Sequence, residues 1–126
     1  MHHVGCLTLD INKSIENYAK MGFGNVSEIY SISEQKVRVC FVETGDKVYV
    51  ELIEFSEDNP TLMAIYKNKN RYYHVGYLVD DFKQAVEELV SQGYYLVNEF
   101  SSEAFQGKSC AFLYSPELQL IELIES

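Results

Sequence analysis

The sequence predicts an α+β chain made of two tandem βαβββ modules, and three observations carry that expectation. First, the chain contains itself twice. His3-Val4-Gly5-Cys6-Leu7-Thr8-Leu9-Asp10 returns as His74-Val75-Gly76-Tyr77-Leu78-Val79-Asp80-Asp81, at an offset of 71 residues. Without a gap, the same offset places Glu16 on Glu87, Gly22 on Gly93, Phe41 on Phe112 and Glu51-Leu52-Ile53-Glu54 on Glu122-Leu123-Ile124-Glu125. Between residues 3–55 and 74–126, 16 of 53 positions are identical, where chance gives roughly three or four. Second, each copy reads as a short β-rich run, an amphipathic helix and three further β-like runs. Third, 126 residues that are 47% hydrophobic and 23% charged match one domain with a real core. Residues 1–126 are therefore expected to form a single domain, with repeats 3–55 and 74–126 joined by a connector, 56–73.

The opening runs, Val4–Leu9 and Val75–Val79, are short and β-rich. In the first copy Asp10 or Asn12 is positioned to cap a helix whose apolar stripe is Ile11, Ile15, Tyr18 and Ala19, with Gly22 as its stop. In the second, Asp81 caps and Gln84 occupies the reciprocal capping-box position; Phe82, Ala85, Val86, Leu89 and Val90 form the stripe, and Gly93 ends it. Strands are then expected at about Gly24–Ser31, Lys36–Glu43 and Lys47–Phe55, with Thr44-Gly45-Asp46 as a hairpin turn. Their counterparts are about Tyr94–Phe100, Ser109–Tyr114 and Leu118–Glu125, with Ser115-Pro116-Glu117 at the turn. In the connector, Pro60 suits the first turn of a short helix over about Thr61–Tyr66. Each module is expected to pack its helix on one face of a small sheet and to leave the other face for its twin.

Composition narrows the function. Ten basic residues against nineteen acidic give a net charge of −9, which opposes polyanionic partners, so neither nucleic acid nor an anionic membrane surface is an expected partner. Three cysteines, Cys6, Cys40 and Cys110, are too few for a disulfide scaffold and read as small buried hydrophobes in a reducing cytoplasm. No signal peptide and no run long enough to span a membrane is expected, and the localisation read from this is cytoplasmic.

Strand alternation then sorts the ionisable residues. His3, Gly5, Leu7 and Leu9 share one side of their run, and His74, Gly76 and Leu78 share one side of theirs. Tyr49, Glu51 and Ile53 lie together, as do Leu120, Glu122 and Ile124. Asp10 and Asp81 are explained as helix caps, Glu16 and Glu87 fall off the apolar stripes, and Glu54 and Glu125 face away from Glu51 and Glu122 and read as solvent-facing. His2 has Tyr73 as its counterpart, not a second histidine. What remains is His3, Glu51, His74 and Glu122. Taken singly, each has an ordinary reading as a core histidine or an outward-facing glutamate. As a set they recur at one offset and are residue types that bind divalent metals, and a pseudo-twofold axis between modules would gather them as a His2Glu2 site.

The duplicated unit with His on its first strand and Glu on its last resembles the vicinal oxygen chelate superfamily, and within it glyoxalase I (lactoylglutathione lyase) and methylmalonyl-CoA epimerase. The resemblance covers essentially the whole chain. Its most specific pieces are His3-Val4-Gly5, Tyr73-His74-Val75-Gly76, Val50-Glu51-Leu52 and Ile121-Glu122-Leu123-Ile124-Glu125; Gly107-Lys108-Ser109-Cys110-Ala111-Phe112-Leu113-Tyr114-Ser115-Pro116 looks more like the epimerase branch. It implies a curved eight-stranded mixed sheet around a cleft. It also implies a divalent ion (Zn, Ni, Co or Mn) on His3, Glu51, His74 and Glu122, with two positions left for a small-molecule substrate bearing adjacent oxygens, and a homodimer. Two departures stand out. Leu7-Thr8 replaces the Arg that glyoxalase I proteins often carry after the first His, and Glu51 stands where the epimerase branch commonly has Gln.

The implied chemistry is removal of a proton next to a carbonyl, with the metal stabilising the enediolate or enolate charge. Glu122 is the implied base and Glu51 its symmetry-related partner. Returning the proton to the neighbouring carbon isomerises a thiohemiacetal, while returning it to the opposite face of the same carbon racemises an acyl thioester. Arg38, Lys36 and Lys108 are candidate anchors for a substrate anion or solvated surface charges, and Ser101–Gly107 is a lid over the cleft or a plain loop. Two alternatives stay open. A non-catalytic binding or resistance protein of the same fold would lack the metal set, and an extradiol dioxygenase would use a triad to which Glu51 adds an unneeded fourth ligand.

Overall fold

The computed structural model describes residues 1–126. The chain divides into two compact units, His3–Tyr73 and a second made of His74–Ser126 with Met1–His2. The first contains β1 (His3–Thr8), α1 (Ile11–Lys20), β2 (Tyr30–Ile32), β3 (Val37–Gly45), β4 (Val48–Phe55) and α2 (Pro60–Lys67). The second takes in most of β5 (Tyr72–Val79) and continues with α3 (Phe82–Ser91), β6 (Tyr95–Ser102), a 3-10 turn at Glu103–Phe105, β7 (Lys108–Tyr114) and β8 (Leu120–Glu125). No helix is long and apolar enough to cross a membrane.

In the first unit the strand order is β2-β3-β4-β1, with β1 parallel to β4 and the rest antiparallel. In the second it is β5-β8-β7-β6, with β5 parallel to β8 and the rest antiparallel. A strand–helix crossover explains each parallel pair, and hairpins explain the antiparallel ones. The registers match as well: Gly5 faces Glu51 and Phe41 faces Glu51 in one unit, as Gly76 and Phe112 face Glu122 in the other.

The helix ends follow their predicted chemistry in outline. Asp10 caps α1 by accepting from the Lys13 N–H, and Asp81 caps α3 by accepting from the Gln84 N–H. The Gln84 side chain does not close a capping box; it donates to Glu88 one turn on (3.0 Å). Gly22 and Gly93 end the helices at φ 95° and 99°, a backbone region where a Cβ is penalised. Asn59 caps α2, whose first residue is Pro60 and whose buried residue is Leu62. Each helix seats on its own core: Ile11 joins Cys6, Cys40, Val42 and Leu52, while Val86 joins Ala111, Leu113 and Leu123. Of the predicted stripes, Ala19 and Val90 lie exposed at the last turns.

Three strand predictions and one turn need correction. The run 24–31 is not one strand: only Tyr30–Ile32 pairs regularly, with an isolated bridge between Val26 and Val42. The Ser27 hydroxyl accepts from the Phe41 N–H (2.9 Å), taking a donor that a regular ladder would give to a carbonyl. Lys36 and Leu118 were expected to start strands, yet φ values of 55° and 65° exclude them from extended backbone. The hairpin turn falls on Asp46-Lys47, between the register pair Gly45 and Val48.

Glu54 also departs from expectation. It is half-buried on the helix side of β4, where one carboxylate oxygen accepts from the Ile11 N–H (2.9 Å) and the other pairs with Arg38 Nε (2.7 Å). The Arg38 hydrogen bond is the main cause holding its carboxyl below the usual range, aided by the Ile11 N–H against a partial burial that pushes upward. A lowered folded pKa means the stabilisation is fully present above the unfolded carboxyl pKa and is lost as pH falls through the folded one. Glu54→Gln is therefore expected to cost about 1 kcal/mol at pH 7. The difference in urea midpoint between wild type and variant should shrink towards pH 3.

All three cysteines are free and buried, as expected. Burial raises the Cys6 thiol and pushes Cys40 up to about 11, so neither is a thiolate near neutrality. Tyr18, beside Cys6, is pushed up to about 12, chiefly by burial.

Candidate functional site

Each unit holds one buried histidine–glutamate pair. His3 begins β1 and is fully buried; Glu51, in the middle of β4, is 5% exposed. His3 Nε2 lies 3.4 Å from Glu51 Oε1. In the second unit His74 and Glu122 are 6% and 4% exposed, and His74 Nε2 lies 3.3 Å from Glu122 Oε1. Strand geometry produces both pairs. A register partner shares a face, so Glu51 and Glu122 point to the same side as Gly5 and Gly76. The histidine two residues earlier on the parallel strand then reaches across a position where glycine has no side chain to block it. These are also the only four buried ionisable acid or imidazole side chains in the chain, and burying such groups is costly unless each is matched by a partner.

An aromatic ring braces each imidazole. Phe41 meets His3 edge-on, with ring centroids 5.7 Å apart, and Phe112 meets His74 edge-on at 5.1 Å. Both phenylalanines sit across the sheet from the glutamates, opposite Glu51 and Glu122 in register. Sequence reasoning did not assign them to the site, although their match at the 71-residue offset was the available signal. Phe41 also meets Tyr49, and Phe112 stacks on Phe100.

The other candidates lie elsewhere. His2 gives its N–H to the Gly76 carbonyl and its ring to Phe105 (5.6 Å). Glu125 is exposed and accepts from the Ser109 N–H (3.2 Å). Glu16 and Glu87 are exposed. Of the segment read as a lid or a loop, Ser101-Ser102 closes β6 and the rest folds as a short 3-10 turn. Buried Ser102 anchors it, its hydroxyl accepting from the Ala104 N–H. Lys36, Arg38 and Lys108 are exposed, and Arg38 is engaged by Glu54.

Chemically, each pair offers one imidazole nitrogen and one carboxylate oxygen facing each other in a dry environment. That donor set suits Zn, Ni, Co or Mn, and the carboxylate is also a competent proton acceptor.

Comparison with known proteins supplies the family. The Bacillus subtilis protein YqjC, itself uncharacterized, is 28% identical over 131 residues, covering 99% of this chain and 91% of its own. Mouse mitochondrial methylmalonyl-CoA epimerase is 27% identical over 115 residues, covering 90% of this chain; the match takes in 65% of the mouse protein's length. Streptomyces coelicolor methylmalonyl-CoA epimerase, solved in complex with 2-nitronate-propionyl-CoA, superposes with a TM-score of 0.85 over 100% of this chain and 96% of its own, at 23% identity. That superposition shows a shared fold. The profile of the glyoxalase/bleomycin resistance protein/dioxygenase superfamily matches residues 2–114, from the residue before His3 to the end of β7. Three of the four buried His and Glu residues fall inside the match, and β8 with Glu122 lies just beyond it. The chain belongs to the glyoxalase/bleomycin resistance protein/dioxygenase superfamily.

Proposed function

We propose that this protein is a divalent-metal-dependent enzyme that moves a proton at the carbon next to a thioester carbonyl, racemising an acyl-CoA in the manner of methylmalonyl-CoA epimerase. The observation that carries the reading is the buried His–Glu pair present once in each unit at matching register. The proposed domain is the whole chain, with His3, Glu51, His74 and Glu122 converging on one metal. The epimerase relatives support the acyl thioester over a thiohemiacetal, as does Leu7-Thr8 in place of an arginine. A divalent cation held by the four residues would supply Lewis acidity that stabilises negative charge on the carbonyl oxygen.

The chain's own residues do the rest. Glu122 accepts the proton from the α-carbon through a carboxylate oxygen, and the electron pair of the broken C–H bond moves onto the thioester carbonyl as an enolate. Glu51, its symmetry-related partner, delivers a proton to the opposite face of the same carbon, inverting it, and the two carboxyls exchange protons with solvent between turnovers. Phe41 and Phe112 hold the His3 and His74 imidazoles in place; the apolar surroundings exclude bulk water and strengthen each charge interaction. A glyoxalase-type isomerisation is the second reading, favoured by Glu51 at the position where epimerases commonly carry Gln. We also propose a homodimer, checked by sedimentation.

The test is deuterium exchange. Metal-loaded protein in heavy water should wash deuterium into the α-position of methylmalonyl-CoA, and a chelator should stop it. Exchange into a thiohemiacetal alone would favour the second reading. A protein that takes up no stoichiometric metal and exchanges neither substrate would be a non-catalytic binder.

A further inference from the structure

On the sheet face that carries Glu122, the second unit opens into exposed apolar surface. Leu120 precedes Glu122 by two residues on β8 and shares its face. Tyr114 is the register partner of Leu120 on β7, and Tyr95 is the partner of Tyr114 on β6. Leu118 lies in the turn between β7 and β8, its N–H donating to the Ser115 carbonyl (2.8 Å). Tyr95 is 69%, Leu118 78% and Tyr114 38% exposed. The patch therefore begins about 7 Å along β8 from Glu122 and extends about 10 Å across two strands to the sheet edge. Between Glu122 and that edge this face carries no charged strand residue; Asn98, opposite Phe112, is its polar member, and Glu117 lies in the turn beyond.

The fold does not require this surface. At the 71-residue offset Tyr95, Tyr114, Leu118 and Leu120 correspond to Gly24, Glu43, Lys47 and Tyr49, so the first unit builds the same module with more polar residues at those positions. Leu118 and Lys47 hold the same left-handed backbone, at φ 65° and 57°, a conformation that is costly for any residue with a Cβ. Lysine there keeps a charged head in water, whereas leucine adds apolar exposure to the backbone cost. A single exposed leucine is ordinary, but contiguous exposed side chains of this size mark a binding surface.

Position selects the occupant. The patch is continuous with Glu122 through Leu120, so the molecule that reaches it is the one whose reacting carbon stands at Glu122. A second copy of the chain fits less well: each copy carries a net charge of −9, and the irregularity between Leu96 and Asn98 interrupts the ladder that edge-to-edge pairing on β6 would extend. The patch offers no cation to a charged group, while rings gain from burial against tyrosine and leucine.

We infer that this patch sets substrate specificity by seating a large, uncharged, ring-bearing substituent of the α-carbon on Tyr95 and Tyr114, flanked by Leu118 and Leu120. The inference rests on the acyl thioester reading above and names the acyl class, an α-methyl arylacyl group in place of a dicarboxylic one.

The probe is the pantetheine thioester of α-methylnaphthylacetate, compared with that of methylmalonate so that the carrier is constant. Metal-loaded full-length protein should bind it with saturable NMR shifts of the Tyr95 and Tyr114 rings and the Leu118 methyls. It should exchange the α-proton of the naphthyl thioester with a KM about tenfold below that of the methylmalonyl thioester. Leu118→Asp and Tyr95→Ser replace exposed side chains, and Asp tolerates left-handed backbone, so both variants fold; each should cut the KM advantage about fivefold. Met21→Ser, which removes a 67% exposed apolar side chain from the first unit, should leave it unchanged. Equal KM values for the two thioesters, shifts confined to other residues, or an unchanged KM ratio in Leu118→Asp would each overturn the inference. So would a loss of self-association in Leu118→Asp, which would make the patch an interface between copies. Binding at the patch without α-proton exchange would sink the enzyme reading and leave the patch standing, whereas exchange of the methylmalonyl thioester with no shift at the patch would do the reverse.

Discussion

Glu122→Gln is expected to lower the rate of α-proton exchange about 10³-fold while the protein keeps its metal. Glutamine preserves the size of the side chain and an oxygen donor, but it cannot take up a proton at that oxygen. A positioned general base contributes roughly 10²–10⁴-fold, and Glu122 is buried against His74 with its oxygen 3.3 Å from the ring, so no water-exposed carboxylate is at hand to replace it there. The measurement pairs exchange kinetics with metal content on the same preparation. Retention of activity within about threefold of wild type would remove Glu122 from the proton path. Loss of both metal and activity would make it a ligand without showing it to be the base. Glu51→Gln distinguishes the two readings of the reaction further: a two-base racemase loses inversion but retains exchange on one face.

His74→Ala is expected to abolish stoichiometric metal binding and, with it, the thermal stabilisation that metal confers. A ligand present at 100 times its Kd stabilises a folded protein by about 2.7 kcal/mol, and for a chain of this length that raises Tm by about 10 °C. Wild type should show this rise on adding metal, and His74→Ala should not. Because His74 packs on Phe112, the substitution also opens a cavity, and the metal-free Tm falls in any case. The decisive quantity is therefore the metal-induced shift within each protein, not the difference between them. His3→Ala should behave alike if both units contribute to one centre. A full metal-induced shift in either variant would break the four-ligand reading.

Much of the architecture was legible because it rests on local chemistry repeated twice. Asp10 and Asp81 before apolar stripes, with Gly22 and Gly93 behind them, specify two helices through side-chain acceptors and backbone freedom. Where the reading failed, a single residue overrode the pattern. Residues 24–29 look extended, but the Ser27 hydroxyl replaces a ladder acceptor; Lys36 and Leu118 look like strand residues, but tight turns hold them left-handed. The Ser27–Phe41 hydrogen bond joins residues 14 positions apart, while the turns at Lys36 and Leu118 close locally on the Ser33 and Ser115 carbonyls; a two-residue period reports neither. Glu54 is the clearest case, since alternation placed it correctly away from Glu51, yet its task of capping α1 through Ile11 depends on where the helix returns.

By itself the sequence determined the repeat, the order of elements in each unit and, through strand parity, the four residues singled out as His3, Glu51, His74 and Glu122. Covalent order and the two-residue period are enough for that, because they require no knowledge of neighbours. Tertiary structure alone decided that His3 meets Glu51 and His74 meets Glu122 within 3.4 Å, that a phenylalanine braces each ring, and that Tyr95 and Tyr114 stand side by side on the face of Glu122. The reason is register. Which residue of β1 lies beside which residue of β4 is set by how both strands pack on the helix above them, and a slip of one position would turn every one of these side chains to the other face.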